Sequence, residues 1–172
     1  MVTANPIPGS WPGTLFITPR PRGGEWLQDE VRGWHHAGID VIVSLLMPAE
    51  AGSLDLKDEQ SACEAEGIQW LNIPVADRGV PASMEDFAEQ LQLPLELLTN
   101  GNSVAVHCRQ GVGRAPLAAI GILILSGKDV EFAIEQVGRA RGWTVPETPS
   151  QRQWLMNFAS VTRLKSRFER ES

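Results

Sequence analysis

Val104-Ala105-Val106-His107-Cys108-Arg109-Gln110-Gly111-Val112-Gly113-Arg114-Ala115 is the stretch whose reading decides the fold. Ser103–His107 is short, apolar and rich in valine, the composition of a buried strand. From Arg114 to Ser126 the chain is apolar nearly all round, as a buried helix is. Two glycines, Gly111 and Gly113, lie between. They let a short loop curl so that successive backbone N–H groups converge on one centre. A buried strand that runs through such a loop into a buried helix is a unit of an α/β sheet.

The flanking sequence repeats the alternation. Leu15–Thr18, Val41–Leu46 and Ile68–Val75 read as strands. Glu25–His36 reads as a helix, and Asp55 caps another that runs to about Glu66 and is stopped by Gly67. Ser83-Met84-Glu85-Asp86 has capping-box spacing and opens a helix through Leu98, bent at Pro94. Asp129–Arg141 is helical. Thr148-Pro149-Ser150-Gln151 opens a long last helix with the stripe Trp154, Phe158, Val161, Leu164 and Phe168. The fold class is therefore α/β: one domain over residues 1–172, with a central, mostly parallel sheet of about four to five strands flanked by helices. Residues 1–13 read as an irregular lead-in, and 169–172 as a fraying tail.

Composition removes several function classes. Fifteen Lys and Arg stand against 21 Asp and Glu, a net charge of −6 over 172 residues. That opposes nucleic-acid binding, which needs clustered cations. The late cluster Arg163, Lys165, Arg167 and Arg170 is offset by Glu169 and Glu171 and reads as a solvated face. The longest apolar run, Ala115–Leu125, is too short to span a membrane. Met1–Pro6 has no basic-then-apolar run, so no signal peptide is expected. Two cysteines are too few for a disulfide framework, and a reducing cytoplasmic setting suits a reactive thiol. Cys63 falls on a predicted helix and reads as core. His35 and His36 point about 100° apart on a helix and cannot readily share an ion, so no metal site and no cofactor are expected.

Chemistry concentrates on the glycine loop. Arg114 supplies a planar fork able to hold two phosphate oxygens. The helix it opens adds the partial positive charge of its N-terminus. The same field favours the thiolate of Cys108 at the base of the loop. A thiolate beneath a cradled phosphoryl group is placed for in-line attack, giving a phosphocysteine without need of a metal. A glycine-rich turn around an inert, buried cysteine would need neither the arginine nor the two glycines.

Val106–Arg114 resembles the signature loop of the protein tyrosine and dual-specificity phosphatases. Ile73-Pro74-Val75-Ala76-Asp77-Arg78-Gly79-Val80-Pro81 is similar to the acid loop of their compact branch, which includes kinase-associated phosphatases. Asp77 lies 31 residues before Cys108, a separation typical of that branch. The resemblance runs from about Leu15 to Phe158 and implies a protein tyrosine phosphatase-like fold. It makes Cys108, Arg114 and Asp77 catalytic, Asp77 being the acid for the leaving oxygen and later the base for water. Without the Cys loop, Asp77 would read as a turn residue before Gly79; its rival Asp86 is explained by capping. The backbone N–H groups of Arg109, Gln110, Gly111, Val112 and Gly113 would bind phosphate, and His107 would orient the loop. Glu147 and Gln151 fall where relatives position the hydrolytic water. The implied partner is a phosphorylated protein or peptide.

The sequence departs from the family pattern in places. Ala115 replaces the usual Ser or Thr whose hydroxyl stabilises the departing thiolate. One lost charge-assisted hydrogen bond costs about 1.5–3 kcal/mol, roughly ten- to a hundredfold in that step. The chain has no Tyr and is too short for the larger tyrosine phosphatase domain, so a shallower, dual-specificity pocket is expected, with Trp11 a candidate wall. The loop lacks the lysines of phosphoinositide phosphatases, though Arg109 keeps a polyanionic substrate such as a phosphoinositide open. A phosphopeptide-binding pseudophosphatase, favoured by Ala115, is the main alternative. A sulfur-transfer or arsenate-reducing enzyme is disfavoured by Asp77.

Overall fold

In the computed structural model, which describes residues 3–172, the decisive strand β5 (Val104–His107) lies in the middle of a five-stranded sheet. Its neighbours β2 (Leu15–Thr18) and β3 (Val41–Ser44) are both parallel to it, with Val104 level with Leu15 and Val41, and Val106 level with Ile17 and Val43. β4 (Gln69–Asn72) pairs parallel with β3, and β1 (Asn5–Ile7) closes the other edge antiparallel to β2. The order is β1-β2-β5-β3-β4. All four residues of β5 are buried, as a central parallel strand covered on both faces requires.

The two-residue period of the strands divides the core into two layers. Val104, Val106, Ile17 and Val43 face a cluster that includes Phe87, Leu91, Leu117, Ile120, Val137 and Phe158. These come from α4 (Met84–Thr99), α5 (Arg114–Leu125), α6 (Val130–Arg141) and α7 (Pro149–Glu171). Ala105 and Ile42 face the other way, onto Val31 and Trp34 of α1 (Leu27–His36) and Cys63 of α3 (Glu59–Ala65). α5 is buried from Arg114 to Ile124. Each of its large aliphatic side chains contributes about 1.5–3 kcal/mol by leaving water. Gly121 permits the close approach of α4, since a Cβ there would lie 2.7 Å from Leu91 Cδ1.

The caps at Ser83 and Thr148 form where the sequence places them, and Asp129 adds one that the sequence reading did not name. The Ser83 hydroxyl accepts from the Asp86 N–H at 3.1 Å, and the Asp129 carboxylate from Glu131 N–H at 3.1 Å. Thr148 and Gln151 cap each other, at 3.1 and 3.2 Å. Gly67 ends the run after α3 with φ 76°. Other readings need correction. The lead-in, whose first two residues lie outside the described residues, holds β1, which gains backbone bonds from β2. A short helix, α2 (Pro48–Ser53), follows β3, with Pro48 at its first position. Asp55 caps nothing; it takes φ 55° in the turn between α2 and α3. Along α7 the face buried by Leu155 and Ala159 continues as Thr162, Ser166 and Glu169, so the apolar stripe turns outward. Val161, Leu164 and Phe168 are exposed, the last by 69%. α7 runs on to Glu171 instead of fraying at 169, and Ser172 Oγ donates to Phe168 O at 2.9 Å.

Candidate active site

β5 ends at His107, and its imidazole fixes where the next residue stands. Nε2 lies 2.5 Å from Glu59 Oε1 of α3, Nδ1 lies 3.2 Å from the Cys108 carbonyl, and the ring stacks on Trp34 at 5.9 Å. Burial opposes a charge on this fully enclosed ring, but the Glu59 carboxylate outweighs it, and the His107 pKa is raised above its ordinary value. The strand end is thereby tied to the layer beneath the sheet.

The loop from Cys108 to Gly113 turns at Gly111, whose φ of 78° suits a residue without a Cβ. Arg141, the last residue of α6, donates to the carbonyls of Gly111 (Nε, 3.2 Å) and Gln110 (Nη2, 2.9 Å). In a trans peptide the N–H points opposite to the C=O. With both carbonyls drawn to Arg141, the amides of Gly111 and Val112 face the other way, and the Gly111 N–H reaches Cys108 Sγ at 3.3 Å. Arg141 thus helps to turn the loop's donors inward.

Arg114 opens α5 with its side chain almost wholly enclosed. Nη1 donates to Glu50 Oε2 (2.7 Å) and the Val75 carbonyl (2.8 Å). Nη2 donates to Glu50 Oε1 (2.7 Å) and Asp77 Oδ1 (3.1 Å). These bonds from Arg114 hold the Glu50 carboxyl below its ordinary pKa, although burial pulls the other way. Burial likewise opposes the charge on Arg114, but Glu50, Cys108 and Asp77 outweigh it and raise its pKa above the ordinary value.

These groups meet on one cavity of about 240 Å³, lined by the loop residues Cys108, Arg109, Gln110, Val112, Gly113 and Arg114, by Asp77 and Arg78 of the acid loop, and by Glu147. Gly111 lies behind it, against Arg141. The Asp77 side chain is half exposed. Gly113 lets the segment before α7 close on the loop: a Cβ there would lie 2.6 Å from Glu147 Oε1 and 3.1 Å from Gln151 Nε2. Gln151 is buried, its amide accepting from Thr148 N–H and donating to the Gly79 carbonyl at 3.0 Å. It therefore ties α7 to the acid loop. Trp11 packs on the core and does not line the cavity.

Four side chains of the site escaped the sequence reading. Pro48-Ala49-Glu50, a Pro and an acid in a first helical turn, was the available signal for Glu50. Glu59 and Arg141 had no local signal, and Arg78 was visible only as part of the acid loop.

Residues 18–128 match the family described as Tc-R-P, polymorphic toxin system, DSP-PTPase phosphatase. Over 118 residues the chain is 29% identical to the tyrosine-phosphatase-like protein 067L of Invertebrate iridescent virus 3, a match over 60% of this chain and 49% of that protein. The chain thus spans about half the length of that curated relative. Among solved structures, a kinase associated phosphatase with its catalytic-site cysteine replaced by serine superposes with TM-score 0.86 at 19% identity, over 94% of this chain and 96% of that one. Tk-PTP in its active form gives 0.73 at 25% identity, over 91% and 96%. PTPMT1 gives 0.76 at 20%, over 95% and 98%. With the family match covering well over half of the sequence, and the fold shared with these phosphatases, the chain belongs to the DSP-PTPase phosphatase family of polymorphic toxin systems.

Proposed function

We propose that this chain is a phosphoprotein phosphatase, acting on phosphotyrosine and on phosphoserine or phosphothreonine through a phosphocysteine, with no metal in the chemistry. The observation that carries this reading is the convergence of the Cys108 sulfur, the Arg114 guanidinium and the Asp77 carboxylate on one small cavity. The donors of Arg114 suggest the order of events. Its four Nη hydrogens go to Glu50 twice, to Val75 and to Asp77. A phosphate would take the weakest of these places, that of Asp77, together with Nε. Its arrival frees Asp77 to face the leaving oxygen.

The Cys108 thiolate then attacks phosphorus as the P–O bond breaks, and Asp77 gives its proton to the departing oxygen. In the second step Asp77 takes a proton from the attacking water, and the thiolate leaves. Glu147, which lines the cavity, would orient that water, and Gln151 would act through the acid loop. No aromatic side chain lines the cavity among the described residues, which supports acceptance of short as well as aryl phosphoresidues. Residues 1–172 form one phosphatase domain in this reading, because α6, the segment that follows it and the start of α7, beyond the family match, bring Arg141, Glu147 and Gln151 to the site. Among the described residues no helix is long and apolar enough to cross a membrane. A reducing, cytoplasmic location would suit the thiol.

Hydrolysis of a small aryl phosphate in the presence of chelator tests the proposal. Cys108→Ser is expected to abolish turnover, and vanadate to inhibit the wild type. Asp77→Ala is expected to lower kcat on phosphoserine peptides about 10²–10⁴-fold with KM little changed. Absence of turnover in folded wild-type protein that binds phosphopeptides tightly would instead favour a binding module, the reading that Ala115 supports.

A further inference from the structure

Arg78 occupies a place in the site that the steps above do not use. It directly follows Asp77, and its backbone holds φ 58°, in the left-handed region that side chains with a Cβ rarely adopt. Local strain of this kind gathers at ligand-binding positions. Arg78 lines the same cavity as Cys108 and Arg114. Its Nη1 lies 3.7 Å from Glu147 Oε2, and Glu147 is packed against the loop at Gly113. The guanidinium therefore stands over the loop that would hold the scissile phosphate.

The ion pair is loose. Its 3.7 Å compares with 2.7 Å for Glu50 on Arg114, and the Arg78 side chain is 68% exposed. A pair this long, with its cation this exposed, contributes little and exchanges readily. Arg109, on the loop itself, lines the same cavity.

We propose that Arg78 is a specificity-determining residue: it holds a second anionic group, a phosphate or carboxylate carried by a phosphopeptide beside the scissile phosphate, and takes it in exchange for Glu147. The planar fork suits either group, since each presents two oxygens. The net charge of −6 opposes approach to an anionic lipid surface, and the loop carries no lysine, so a soluble peptide is the better fit than a membrane headgroup. The inference rests on the phosphatase reading for its scissile phosphate, but its test reads binding alone.

Three peptides share one phosphotyrosine and differ beside it: glutamine, glutamate or phosphoserine. Their Kd values are measured by calorimetry on Cys108→Ser and on Cys108→Ser/Arg78→Gly. Glycine accepts the left-handed backbone, so the double variant is expected to melt no lower than the single one. On Cys108→Ser the glutamate and phosphoserine peptides should bind about two- to fivefold more tightly than the glutamine peptide. Arg78→Gly should reduce that ratio to near one, and Arg78→Lys should restore part of it. Glu147→Gln, which removes the competing carboxylate, should widen it. A ratio that survives Arg78→Gly, or the absence of any ratio on Cys108→Ser, overturns the assignment. Tighter binding to vesicles carrying a phosphoinositide than to any of the peptides overturns the choice of substrate class. Wild-type protein that hydrolyses none of the peptides yet shows the Arg78-dependent ratio would overturn the phosphatase reading alone.

Discussion

The Cys108 sulfur accepts a hydrogen bond from the Gly111 N–H, while the residue after Arg114 is a buried alanine with no hydroxyl to add. Release of the thiolate from a phosphocysteine would then lean on the Gly111 amide. Ala115→Ser is expected to speed phosphoenzyme breakdown by up to about tenfold, read as a smaller burst and a faster steady state in rapid-quench kinetics. An unchanged rate would assign the whole of that task to Gly111. The sequence singles out Cys108, Arg114 and Asp77 because they lie in two short motifs that resemble the family's signature and acid loops, and the structure brings all three to one cavity. It does not single out Glu50, Glu59 and Arg141. They reach their partners across 64, 48 and 30 residues, and no local pattern encodes such a contact.

At the scale of elements, α6 reaches the loop through its final residue. Arg141→Met removes both bonds to the Gln110 and Gly111 carbonyls, so their amides lose a fixed direction. The expected result is weaker inhibition by inorganic phosphate, by about three- to tenfold, with a larger loss in kcat/KM than in thermal stability. Arg141→Lys should recover part of the phosphate affinity, which a purely structural effect on α6 would not require. Helix starts at Ser83 and Thr148 were readable from their caps, which are local hydrogen bonds between side chain and backbone. α2 was not recognised: at 6 residues it is too short to show an apolar period. β1 contains Pro6 and only 3 residues, and it exists because β2 offers a free edge. Along α7 the apolar period continues while burial does not, and periodicity alone does not record burial.

At the scale of the whole molecule, two buried or half-buried ion pairs tie the layers to the site, and they respond to pH in opposite senses. The Glu50 carboxyl titrates lower in the folded protein than its ordinary 4.5, so its contribution to stability is complete above that value and lost as pH falls through the folded one. His107 titrates higher than its ordinary 6.5, so its contribution is complete below that value and lost as pH rises through the folded one. Thermal melts followed against pH should show greatest stability between these limits. Glu50→Gln should flatten the acid limb and His107→Gln the alkaline limb; limbs unchanged in both variants would show that other groups set them. The α/β class was readable from alternating strands and helices. The order β1-β2-β5-β3-β4 was not, because it rests on pairings between strands far apart in the chain.

The two-layer core also bears on how a reactive Cys108 would meet an oxidant. Its two cysteines lie in separate clusters, Cys108 in the one that packs on α5 and Cys63 in the one beneath α1. Burial, reinforced by Glu59 and Glu64, pushes the Cys63 thiol up to about 12, which leaves it a poor nucleophile. A sulfenic acid formed on Cys108 would therefore not be trapped as a disulfide by Cys63, the other cysteine among the described residues. Its rescue would fall to the loop's own amides or to reductants from outside, without which oxidation would continue to the sulfinic acid.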